Sequence, residues 1–82
     1  NDLTYVNVSS TTTEKTIVLN NEQMPTTVKI ATTAQVNIKH GTTSISLSAG
    51  THTLPFALVE GANELKVKGV SELIFEYQEG AL

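Results

Sequence analysis

Residues 58 to 77 read LVEGANELKVKGVSELIFEY. Apolar and polar positions alternate through Leu65 and Val67, Gly69 interrupts, and alternation resumes through Leu73, Phe75 and Tyr77. Two period-2 runs joined at a glycine predict two strands, and the short link between them predicts a β-hairpin. Gly61 and Asn63 allow the turn into the first strand, Glu64–Lys68, and Gly69 to Ser71 reverses the chain into the second, Glu72–Tyr77. Leu65, Val67, Leu73 and Phe75 then share one inward face, so this hairpin closes a core.

The same period runs upstream. Residues 3 to 8, LTYVNV, put Thr4, Val6 and Val8 on one face and Leu3, Tyr5 and Asn7 on the other. Ser9–Thr13 is a polar loop. Glu14–Leu19 forms a strand with Ile17 and Leu19 opposite Thr16 and Val18. NNEQMP, Asn20 to Pro25, is a turn, because adjacent asparagines tolerate left-handed backbone and Pro25 fixes φ. Thr27–Ala31 and Ala34–Lys39 are strands with Val28, Ile30, Val36 and Ile38 inward, joined at Thr32 and Thr33. His40–Gly41 is a turn signal before Ser44–Ser48, whose Ile45 and Leu47 point inward, and Ala49–Gly50 turns again. Thr51–Phe56 is a short strand or irregular edge, since Pro55 cannot donate to a ladder.

These spacings predict an all-β fold: a small antiparallel β-sandwich, jelly-roll-like or galectin-like, of seven to eight short strands. Antiparallel pairing is expected because the links are too short for crossovers. A threonine triplet at 11–13 and pairs at 26–27, 32–33 and 42–43 support this, because a β-branched side chain suits a pleated, half-exposed surface. The 82 residues make one domain, and Asn1 in place of Met reads as a domain belonging to a longer protein.

Composition excludes several function classes. The net charge is −3, and all five basic residues are lysines. Nucleic acid needs a clustered basic surface, and Lys66 and Lys68 on one strand face are too few. No apolar run approaches the ~20 residues of a membrane helix. No cysteine is present, which excludes a disulfide scaffold and a thiolate metal site.

The residues capable of chemistry do not form a catalytic pattern. His40, at the hairpin turn, is expected to be solvated. His52, in an alternating THTL run, is expected to face outward. The one aspartate, Asp2, lies near a terminus, and no serine sits in a nucleophile-elbow pattern. Glu72, Glu76 and Glu79 read as exposed acids rather than a calcium site. No catalytic, cofactor-binding or metal-binding residue is assigned, no cofactor is expected, and the protein is expected not to be an enzyme. Sugar binding often stacks on Trp or Tyr. Tyr5 is the aromatic expected to be exposed, while Phe75 follows the inward parity of Leu73.

The closing run, LPFALVEGANELKVKGVSELIFEYQEGAL from Leu54 to Leu82, resembles the end of the distal tail protein family of long-tailed bacteriophages and related baseplate components. The matching elements are Leu54-Pro55, Gly61-Ala62-Asn63, the strand Leu65–Val67, Gly69, and Leu73–Tyr77 ending in Leu82. The chain departs at Gln78-Glu79-Gly80-Ala81, where the family often carries Arg and Trp. The resemblance implies a galectin-like or jelly-roll-like sandwich with a structural role in the virion, binding other tail subunits without catalysis. Two other functions are compatible with the residues. One is a module binding a host cell-surface glycan through Tyr5 or a polar sheet face. The other is an adhesin-like domain with its threonines in solvent.

Overall fold

A computed structural model describes residues 3–22 and 25–78 of the chain. Among these residues the chain forms eight strands: β1 (Leu3–Ser10), β2 (Lys15–Asn21), β3 (Thr26–Thr32), β4 (Val36–His40), β5 (Thr43–Leu47), β6 (Gly50–Leu58), β7 (Gly61–Lys68) and β8 (Ser71–Gln78). They build two four-stranded sheets. Sheet A has the order β1-β8-β3-β6 and sheet B the order β2-β7-β4-β5, with every pairing antiparallel. This is the two-sheet jelly-roll arrangement of an eight-stranded sandwich.

The strand order overturns one expectation. β7 and β8 do not form a hairpin: β7 pairs with β2 and β4, whereas β8 pairs with β1 and β3. Leu65 and Val67 therefore meet Leu73 and Phe75 from the opposite wall of the core. Consecutive strands change sheet at every link except β4 to β5, which is a true hairpin turning at Gly41 with φ +58°. A two-residue, glycine-bearing link can close a hairpin or carry the chain over the end of a sandwich. Local sequence does not separate the two, because both need only a sharp reversal.

Each strand sends alternate residues inward. Leu19, Val28, Ile30, Ile38, Leu58, Leu65, Val67 and Phe75 are fully buried, and Val6, Val8, Ile45, Leu47 and Phe56 pack around them. Several boundaries differ from those expected. Ser9, Ser10, Asn20 and Asn21 extend strands rather than forming loops, and Thr51–Phe56 grows into the nine-residue edge strand β6. Pro55 is accommodated there because β6 borders sheet A, where β3 shifts register between Thr27 and Lys29. Met24, within the expected turn, lies outside the described residues.

Gly61–Asn63 is likewise not a loop but the start of β7, and Asn63 is buried. Its side chain accepts from Val59 N at 2.8 Å and donates to the carbonyls of Val59, Gly61 and Leu19 at 2.9, 3.1 and 3.1 Å. One amide thus replaces the backbone partners lost where the chain leaves β6. Tyr77 reinforces this end by donating its hydroxyl proton to Asn20 O at 2.7 Å.

At the other end three sheet-changing links meet. The Ser71 hydroxyl is shared with Thr32 Oγ1 and accepts from the backbone N–H groups of Thr33 and Ala34 at 3.1 and 3.2 Å. Ser10 Oγ donates toward the carbonyls of Gly69 and Ser71, and Gly69 N donates to Thr11 O at 2.7 Å. Gly69 has φ +128°, and a Cβ there would sit 2.8 Å from Gln35 O. Only glycine fits the conformation and the close approach.

Phe75→Ala removes the largest fully buried side chain, and chemical denaturation is expected to show a loss of about 3–5 kcal/mol. Ser71→Ala leaves the Ala34 N–H without its acceptor, while Thr33 N keeps Glu72 O, and is expected to cost about 1–3 kcal/mol. An unchanged midpoint for Phe75→Ala would contradict its place in the core.

Candidate interaction surfaces

The two histidines do not stand where the turn and the THTL pattern put them. Residue 40 shares the inward parity of Val36 and Ile38, and residue 52 that of Leu54, Phe56 and Leu58. Both are half-buried at the margin of the sandwich. The His40 ring stacks on Phe56, with centroids 4.1 Å apart and planes 3° from parallel. His52 Nε2 lies 2.8 Å from Ser48 O. The rings cover the rim of the core, and strand parity was the signal that places them there.

Among the described residues no three His, Cys, Asp or Glu side chains converge as metal ligands. Glu72 and Glu76 lie on the outer side of sheet A, where Glu72 accepts from Ser9 Oγ at 2.6 Å. Asp2 and Glu79 lie outside the described residues. No helix among the described residues is long and apolar enough to cross a membrane.

The outer face of sheet A is mixed. Asn7 lies opposite Ile74, Tyr5 opposite Glu76, and Ile74 opposite Ala31 across the next strand pair. Tyr5 and Ile74 are therefore diagonal neighbours on one face, within reach of an aromatic side chain. Tyr5 is 58% exposed, Leu3 50% and Ile74 45%. Beside Ile74 an open depression of about 240 Å³ is lined by Ala31, Thr33, Gly50, Thr51 and Glu72. Glu72, Glu76 and Lys29 frame this apolar strip. The expected exposure of Tyr5 is met.

The outer face of sheet B is polar. Lys66 lies between Thr16 and Lys39, and Lys39 faces Ser44 on its far side. Lys68 lies opposite Asn37, which faces Ser46, and Gln35 Nε2 donates to Ser46 Oγ at 3.0 Å. Sequence reasoning joined Lys66 and Lys68 on one strand. The fold adds Lys39 from a residue far away in the chain, and Glu14 approaches its ammonium at 3.5 Å. Three overlapping depressions of about 340, 240 and 230 Å³ run along this face from Thr12 and Gly69 to Gly41.

No family model matches the sequence, and no curated protein matches it. Among solved structures the chain is similar to a de novo designed double-stranded beta-helix determined by solution NMR. The TM-score is 0.56 at 18% identity, covering 98% of this chain and 100% of that one. That likeness concerns the fold alone.

Tyr5 and Ile74 contribute little to stability where they stand. Tyr5→Ser and Ile74→Ser are each expected to change unfolding free energy by no more than about 0.5 kcal/mol, measured by urea denaturation. A larger loss would mean that these side chains serve the fold rather than a surface.

Proposed function

We propose that this domain is a non-enzymatic assembly module that binds neighbouring protein subunits in the tail or baseplate of a bacteriophage, or in a prophage-encoded relative. The observation that carries the protein-binding part is the apolar strip of Leu3, Tyr5 and Ile74 on the outer face of sheet A. It lies among Glu72, Glu76 and Lys29, and an apolar patch framed by polar side chains is a common form of protein contact. The phage setting, and with it a place in the virion, rests on the resemblance of Leu54–Leu82 to the distal tail protein family.

The test is co-purification with the tail subunits encoded beside it. The wild-type domain should co-elute with at least one of them, and the double variant Tyr5→Ser, Ile74→Ser should lose that partner while keeping its melting temperature. Undiminished co-elution of the double variant removes sheet A as the contact surface. The absence of tail genes beside it removes the phage setting.

The track on sheet B favours a second reading, a module for a host-surface glycan. Hydroxyl and amide groups from Asn37, Ser44 and Ser46 stand next to Lys39, Lys66 and Lys68, a set suited to an acidic sugar. A glycan array should show binding that Lys39→Ala and Lys66→Ala both reduce. A blank array ends this reading.

A further inference from the structure

Beyond the face contacts, the open edge of sheet A has a defined chemistry. β1 pairs with β8 on one side, and among the described residues no strand pairs with its other side. Which backbone groups face outward follows from two hydrogen bonds. Glu72 O accepts from Thr33 N at 3.1 Å, and Glu72 N donates to Thr33 Oγ1 at 3.0 Å, so Glu72 turns its backbone toward β3. Antiparallel backbone alternates, so Leu73 and Phe75 turn theirs toward β1, where they meet Val8 and Val6. The N–H and C=O groups of Leu3, Tyr5 and Asn7 therefore point away from the sheet. Ser9 obeys the same alternation, and Lys15 Nζ donates to its carbonyl at 3.1 Å, closing the row at that end.

The other edges are guarded in the ways proteins guard edges. β6 carries Pro55. β2 starts at Lys15, and its Asn20 carbonyl takes a side-chain bond from Tyr77. β5 spans only Thr43–Leu47. β1, in contrast, runs eight residues with neither proline nor charge, and the uncharged stretch continues to Thr13.

We propose that β1 pairs antiparallel with β1 of a second copy about a two-fold axis at Tyr5, joining the two A sheets into one continuous sheet. This register sets Tyr5 against the second copy's Tyr5, and Leu3 against Asn7 in both directions. All three positions carry outward backbone groups, so each pair can exchange both its N–H···O=C bonds. The exposed Tyr5 side chains become directly opposed neighbours, a favourable cross-strand pair. A chain of net charge −3 meets itself along an edge with neither charge nor proline, so no like charges oppose each other across the seam. The occupant must be an extended strand, because only a strand satisfies an alternating row of donors and acceptors. Strand addition alone buries less than the roughly 1,200 Å² at the low end of stable interfaces. The association is accordingly weak in free solution and strengthened when copies are held close in a larger assembly.

The test is sedimentation of the domain over a wide concentration range, together with amide hydrogen exchange by NMR. The expected result is a reversible shift from monomer to dimer, with the amides of Leu3, Tyr5 and Asn7 gaining protection as concentration rises. Those of Val6 and Val8 should be protected throughout. Tyr5→Lys places two ammonium groups opposite each other and should weaken the dimer on the order of tenfold or more. Asn7→Lys, elsewhere on the same edge, should also weaken it. Ile74→Ser lies one strand inside the edge and should leave the dimer intact while weakening contact with a tail subunit, which separates this inference from the assembly reading. A monomer up to millimolar concentration overturns the proposal, as does a dimer in which the three amides exchange unchanged.

Discussion

The hydroxyl of Ser71 sits where the chain changes sheet. It serves Thr32, Thr33 and Ala34 together, while Ser10 reaches the carbonyls of Gly69 and Ser71 from the neighbouring strand. Three links that cross from one sheet to the other are held there by the buried side chains of Ser10, Thr32 and Ser71. Leaving such groups unpaired would cost more than any single one gains by pairing, so the end of the sandwich holds together or opens as a unit. The two walls of the core, Leu65 and Val67 facing Leu73 and Phe75, depend on that corner staying closed. Gly69 makes it possible by letting Gln35 O approach where a Cβ would stand.

Because nearly every link crosses between sheets, neighbours in the sheet are far apart in the chain. β1 lies against β8, and β2 against β7. Such non-local pairings bring Lys39 beside Lys66 and put Tyr5 diagonal to Ile74, combinations with no trace in any short stretch of sequence. They also decide which strands are left at the margins. β1 is an edge only because β8 takes one of its sides and nothing among the described residues takes the other. Its uncharged sequence acquires meaning through that position, since the same residues in a central strand would raise no question of a partner.

Most inward residues were legible in advance, because strand periodicity states which side chains share a face. Val6 and Val8, Ile17 and Leu19, Val36 and Ile38, and Leu73 and Phe75 all face the core as their alternation indicates. For the histidines that same parity overrides the local context, the turn beside His40 and the short THTL run around His52, that points them to solvent. Asn63 was misplaced because asparagine after glycine favours loops, whereas a buried asparagine can instead replace missing backbone partners. Of the surfaces, the exposure of Leu3 and Tyr5 could be read from the chain. The lysine cluster could not, because Lys39 reaches it only through the pairing of β4 with β7.

By itself the sequence determined an all-β chain, the side of each strand that seeks the core, and the places where the backbone must turn. Those follow from local physics: the two-residue repeat of a strand, the freedom of glycine and the missing N–H of proline. Only the tertiary structure decided that LVEGANELKVKGVSELIFEY spans both sheets instead of folding back on itself. A hairpin would have put Leu65, Val67, Leu73 and Phe75 on one wall with another surface needed to cover them. Crossing the end of the sandwich lets the two halves of the stretch cover each other. That choice depends on which distant strands are available to pair, which no local pattern encodes.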